Sequence, residues 1–138
     1  MTYDRNNVFS KILRGEAPAI RVLENEFALA FMDIMPQVPG HTLVIPKCDA
    51  RDLLDADPLI LGETIQVVQR VAGAVKQAFE APGIMIAQLN GASAGQTVFH
   101  LHFHILPRFD GLEFRVHARE PADTALLVEH AARIRENL

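Results

Sequence analysis

The segment from Phe99 to Leu106 constrains this chain most, because it alternates two kinds of side chain that rarely share an element. His100, His102 and His104 are separated by Leu101 and Phe103. Successive side chains of an extended chain point to opposite faces. The three imidazoles therefore share one face, and Leu101 and Phe103 share the other. Such a segment must run between an apolar core and a place where polar chemistry is done. A strand is expected over Phe99–Leu106, stopped by Pro107, and it requires a sheet around it.

The rest of the chain supplies that sheet. Val8 to Arg14 is apolar on one side and stops at Gly15, which reads as a short helix. Ile20–Leu23 and Phe27–Met32, separated by Glu24-Asn25-Glu26, read as a β-hairpin. Met35 to Gly40 contains two prolines and a glycine and reads as a rigid loop, followed by a strand over His41–Ile45 that closes at Pro46. A long helix is expected from Pro58 to Glu80. Its apolar stripe is read as Leu61, Ile65, Val68, Ala72, Val75 and Phe79, with Asp57 as its cap and Pro58 at its first position. Ile84–Leu89 reads as a strand. Thr124–Leu138 reads as an amphipathic helix through Leu127, Ala131, Ile134 and Leu138. This order predicts an α+β domain with about five mostly antiparallel strands and a sheet edge able to pair with a second copy.

Composition narrows the class. A chain of 138 residues suits one domain, and a net charge of −4 with no basic run argues against a nucleic-acid binder. The single cysteine, Cys48, cannot form an internal disulfide. Met1–Asn7 lacks the apolar stretch of a signal peptide, and no apolar run approaches the ~20 residues of a membrane span, so a cytoplasmic location is expected.

Two chemistries suit three histidines on one face: a zinc site, or nucleotidyl transfer with imidazole as the nucleophile. The preceding loop, Asn90-Gly-Ala-Ser-Ala-Gly95-Gln96, favours the second. Its glycines and small residues can present backbone N–H groups to an anion. Gln96 and Thr97 add side-chain donors, and the loop holds no carboxylate or thiolate to assist a metal.

The run His100-Leu101-His102-Phe103-His104-Ile105-Leu106 resembles the signature of the histidine-triad family. Further blocks resemble that family in the same order: Phe9-Ser10-Lys11-Ile12 with Gly15-Glu16, Ala30 to Ile34, Gly40 to Lys47, and Ala94 to Phe99. The resemblance spans roughly residues 7 to 109, and the tail from Asp110 to Leu138 matches less firmly. It implies a homodimer with one nucleotide site per subunit and no cofactor. His102 would be the nucleophile that takes up a nucleoside monophosphate before water releases it. His104 would donate to the phosphate oxygens, His100 would orient the site from one end, and His41 would join the cluster. Asp33 would accept hydrogen bonds from ribose hydroxyls. Val8, Phe9, Ile12, Phe31 and Ile34 would form a flat apolar pocket for a purine, and Asn90, Gly95, Gln96 and Thr97 would hold the phosphate side.

Some relatives hold a structural zinc through a Cys-x-x-Cys pair. Here Asn7 and Ser10 stand at those positions, and Cys48-Asp49 replaces a further histidine, so no zinc is expected. The expected activity is hydrolysis of purine nucleoside 5′-phosphoramidates. The alternatives are dinucleoside polyphosphate hydrolysis, a nucleotide-binding module with vestigial catalysis, and a zinc protein using the triad. His117 and His130 are read as ordinary, His130 as a polar position on the last helix.

Overall fold

The computed structural model describes residues 2–113 and 120–138; His117 lies outside them. The elements follow in the expected order: α1 (Val8–Leu13), β1 (Arg21–Glu24), β2 (Ala28–Met32), β3 (Thr42–Pro46), α2 (Pro58–Ala78), β4 (Gly83–Ala87), β5 (Phe103–Arg108) and α3 (Thr124–Arg135). Side-chain caps explain where the helices begin. Asn7, Asp57 and Asp123 each accept a hydrogen bond from a first-turn amide, and Pro58 opens α2 where its missing N–H costs nothing.

The strands form one five-stranded sheet in the order β1-β2-β3-β5-β4, antiparallel at every pairing. The β1–β2 hairpin turns at Asn25, whose side-chain oxygen accepts from the amides of Phe27 and Ala28. Alternation then sorts the residues between two faces. Ala28, Ala30, Met32, Val44, Leu101, Phe103 and Ile105 point toward α2 and α3, in the larger core. Leu29, Phe31, Leu43 and Ile45 point the other way and pack with Phe9 and Ile12 of α1.

Three readings of the sequence are corrected. The buried face of α2 runs through Thr64, Val67, Val68, Val71, Ala74, Val75 and Ala78, so Ile65, read as part of the stripe, is 45% exposed. The buried positions are alanine, valine and threonine, and Ile65 falls on the solvent side of that face. His130 is buried on the same face of α3 as Leu127, Ala131 and Ile134, with its ring edge-on to Phe79 at 5.1 Å. Burial, with Arg133 beside it, holds that imidazole below the usual histidine range.

The third correction concerns β5. It begins at Phe103 rather than Phe99 and runs through Pro107, which pairs with Ile84. The β3–β5 ladder extends only from Val44↔Phe103 to Thr42↔Ile105. Beyond Ile105 the strand is paired on its β4 side alone, where a proline is tolerated. Before Phe103, the amide of Leu101 turns instead to the Ala50 carbonyl at 2.9 Å. His100 and His102 thus precede the ladder, with His100 at a bend, so that His102 lines the cleft beside His104 and His100 does not.

Candidate active site

The face not covered by α2 and α3 is closed only in part, because α1 is six residues long. Beside it opens a cleft of about 440 Å³, within the range of small-molecule sites. Val8, Phe9, Ile12, Phe31 and Ile34 line it, as the sequence led one to expect, together with Asp33, Thr97, His102 and His104. Its rim leaves Val8 45% and Ile34 60% exposed, apolar surface that a ligand would cover. Sequence reasoning missed Leu43, Val98, Pro18, Ala19 and Met35. The alternation of β3 carried a signal for Leu43, which pairs with His104; the others had none.

The histidines are ordered by hydrogen bonds that also fix their protons. His102 is 5% exposed, and its Nδ1 lies 2.7 Å from the His100 carbonyl oxygen. A carbonyl only accepts, so Nδ1 carries a proton, and in the neutral ring the lone pair is on Nε2. The ring stands edge-on to Phe9 at 5.0 Å and faces His104 at 5.0 Å between centroids.

His41 is fully buried, and its Nδ1 accepts from the backbone amide of Gln37 at 3.0 Å. Its proton is therefore on Nε2, which lies 3.0 Å from His104 Nδ1 and 3.4 Å from Asp33 Oδ2. The consequence reaches the cleft: His104 accepts at Nδ1 and so carries its own proton on Nε2. In their neutral forms the two neighbouring rings of the cleft thus carry their protons on different nitrogens, Nδ1 in His102 and Nε2 in His104. Gly40 makes the turn into His41 possible. Its φ is +94°, and a side chain there would meet the Phe79 ring at 2.8 Å.

His100 sits behind the cleft at 1% exposure. Nε2 donates to the Pro46 carbonyl at 3.0 Å, and Nδ1 accepts from the Tyr3 hydroxyl. Burial pushes its pKa down to about 4, so the ring is neutral at physiological pH.

The glycine-rich loop is built differently from the open cradle expected. It contains a 3₁₀ turn, Ala92–Ala94, flanked by Gly91 and Gly95 at φ +90° and +101°. The amides of Ala94, Gly95 and Gln96 bond within the loop, and that of Gly91 donates to Gln96 Oε1 at 2.7 Å. Gln96 Nε2 donates to the carbonyls of Arg51 and Val98, so this side chain braces the loop. Asn90 Oδ1 accepts from the amide of Leu53 at 2.9 Å. Of the loop residues expected on the phosphate side, Thr97 lines the cleft, whereas Asn90, Gly95 and Gln96 are not among its lining residues.

Asp33, His41 and His104 bring three potential metal-ligand atoms within 4.8 Å of one another. A metal needs the lone pair of a neutral imidazole. The Gln37 amide already occupies the lone pair on Nδ1 of His41, so coordination at Nε2 would leave two N–H groups face to face. The positions that the family resemblance would match to zinc ligands are also spent on internal bonds. Ser10 accepts from Arg14 at 2.7 Å, Asn7 caps α1, and Asp49 pairs with Arg5 at 2.7 Å.

A five-stranded antiparallel sheet that sets two histidines side by side above an apolar cleft is the arrangement of one protein family, and the comparisons identify it. The HIT domain family matches residues 14–111. A HIT-like protein of Bartonella henselae has a solved structure that superposes with a TM-score of 0.94 at 51% identity, covering 100% of both chains. An uncharacterised HIT-like protein of Borreliella burgdorferi is 42% identical over 112 residues, 78% of this chain and 81% of that one. An adenylylsulfatase of Arabidopsis thaliana is 35% identical over 107 residues, 78% of this chain and 54% of that protein. The chain belongs to the HIT family and has its α+β fold. Among the described residues, no helix is long and apolar enough to cross a membrane.

Proposed function

We propose that this chain cleaves purine nucleoside 5′-phosphoramidates at the α-phosphorus, through a nucleotidyl intermediate on His102. The observation that carries this reading is the 2.7 Å contact from His102 Nδ1 to the His100 carbonyl, which puts the lone pair on Nε2 in a ring that lines the cleft. Nε2 would attack the α-phosphorus as the P–N bond breaks. The amine would leave with its electron pair and take a proton. Water would then attack the same phosphorus, break the P–N bond to His102 and release the monophosphate. His104, protonated on Nε2, would donate to the non-bridging oxygens as charge builds there. Asp33, which lines the cleft, has acceptor capacity for ribose hydroxyls beyond its bond from the Met35 amide. Phe9, Ile12 and Phe31 would contact the base.

A related enzyme that acts on an adenylyl sulfate supports a conserved nucleotidyl half and a variable leaving group. A dinucleoside polyphosphate is the competing substrate for the same chemistry. Turnover of adenosine phosphoramidate, diadenosine polyphosphate and adenylyl sulfate, with intact-mass detection of an adduct on His102, separates them. A clear preference for the P–N substrate is expected. Preference for a P–O–P substrate would transfer the assignment, and nucleotide binding with no adduct on any of the three would reduce the chain to a binding module.

The same reading includes a homodimer. Among the described residues β4 is an edge strand with Ile86 42% exposed, and its outer side could pair with the equivalent strand of a second copy.

A further inference from the structure

We infer that Tyr3 is a positioning residue for the nucleophile, acting through the side chain of His100; this rests on the reading of His102 given above. The carbonyl of His100 sets the tautomer of His102, yet it lies in a stretch, residues 98–102, that precedes the β5 ladder. Backbone pairing holds that stretch at Leu101, through the Ala50 carbonyl. The His100 side chain supplies a further anchor, bonded at both ring nitrogens. One anchor, the Pro46 carbonyl, can only accept, so it fixes the proton on Nε2. Nδ1 is then a buried acceptor that only a donor can satisfy, and the Tyr3 hydroxyl is that donor.

Tyr3 is itself prepared for the task. Its oxygen accepts from Asn7 Nδ2 at 3.0 Å, which leaves its hydrogen directed to His100. Its ring also meets the His100 ring edge-on, 5.7 Å between centroids. Asn7 Oδ1 caps α1 through the Ser10 amide at 2.9 Å, and its Nδ2 also reaches the Asp4 carbonyl at 2.7 Å. A single line of hydrogen bonds therefore joins the start of α1, which carries Val8, Phe9 and Ile12 of the cleft wall, to the nucleophile. It crosses 97 residues of sequence at the Tyr3–His100 contact.

Tyr3→Phe keeps the ring contact and deletes the donor. The single-turnover rate of His102 nucleotidylation should fall roughly tenfold, the loss expected when a buried acceptor goes unmatched, while the affinity for AMP stays within about twofold. Nitrogen-15 NMR of the unliganded protein should show His102 losing its single Nδ1–H form. Asn7→Asp, which keeps the cap but removes the donor to Tyr3, should act in the same direction. In a His100→Ala background, Tyr3→Phe should have no further effect on the rate. A merely structural tyrosine would lower the unfolding midpoint and leave rate and tautomer unchanged. That result, or additive losses in the double variant, would overturn the proposal. The imidazole spectra decide the matter without substrate. A native chain that forms no adduct would therefore count against the nucleophile reading alone.

Discussion

The two faces of the sheet are made by the same strands and do different work. Toward α2 and α3, Ala28, Ala30, Met32, Val44 and Ile105 are sealed at 0% exposure beneath 33 residues of helix, 21 in α2 and 12 in α3. Toward α1, Leu29, Phe31, Leu43 and Ile45 meet a helix of six residues, and beside it the cleft opens. Residues one position apart in β5, His104 and Ile105, belong to different faces. Fold and chemistry are therefore separable at single-residue resolution, and substitutions on the two faces should give opposite readouts.

The largest effect is expected at the nucleophile. His102→Gly should lower turnover by roughly four orders of magnitude or more and abolish the covalent adduct in intact-mass spectra. Its unfolding midpoint should move by only a few degrees. Ile105→Ala, on the covered face, should do the reverse, lowering the unfolding free energy in urea by about 2–5 kcal/mol while each folded molecule turns over at the native rate.

Acid should act on stability through the site face. His100 titrates at about 4 when folded and near 6.5 when unfolded. Between these values the unfolded chain binds a proton that the folded chain refuses. Stability is complete above pH ~6.5 and declines as pH falls toward 4, by roughly 3 kcal/mol for this one group. His130, lowered for the same reason, adds in the same direction. Urea titrations at pH 7 and 4.5 measure the sum, and a His100→Asn variant should have the shallower slope. The smallest effect is expected at the rim. Ile34→Ala should cost nucleotide affinity about three- to tenfold through lost apolar burial, and leave stability within about 0.5 kcal/mol, because the side chain is already 60% exposed.

The order of elements and the common side of His102 and His104 were legible in the sequence, because both follow from periodicity and capping; His100, expected on the same face, is absent from the cleft lining because the chain bends there. The apolar cleft residues were legible through family blocks; as bare sequence they read as core, which is half true, since Phe9 and Ile12 do pack on the sheet. Three things were not legible. The exposure of Ile65 depends on which arc of α2 the sheet covers, which the apolar stripe alone does not settle. The start of β5 at Phe103 depends on where its neighbours stop pairing. The inward turn of Gln96 depends on carbonyls contributed by Arg51 and Val98, and no spacing rule points to the first of these. Tyr3 escaped for a similar reason: a lone tyrosine near the start of a chain carries no pattern, and its partner is remote.

The polarity of the site is written in main-chain atoms. An amide at residue 37 and a carbonyl at residue 100 determine which nitrogen of each ring bears hydrogen. Exchanging the side chain at position 37 cannot reverse that assignment, since every residue type except proline supplies the same N–H. The direction in which protons are offered into the cleft is thus a property of the loop's path, inherited by any sequence that follows it.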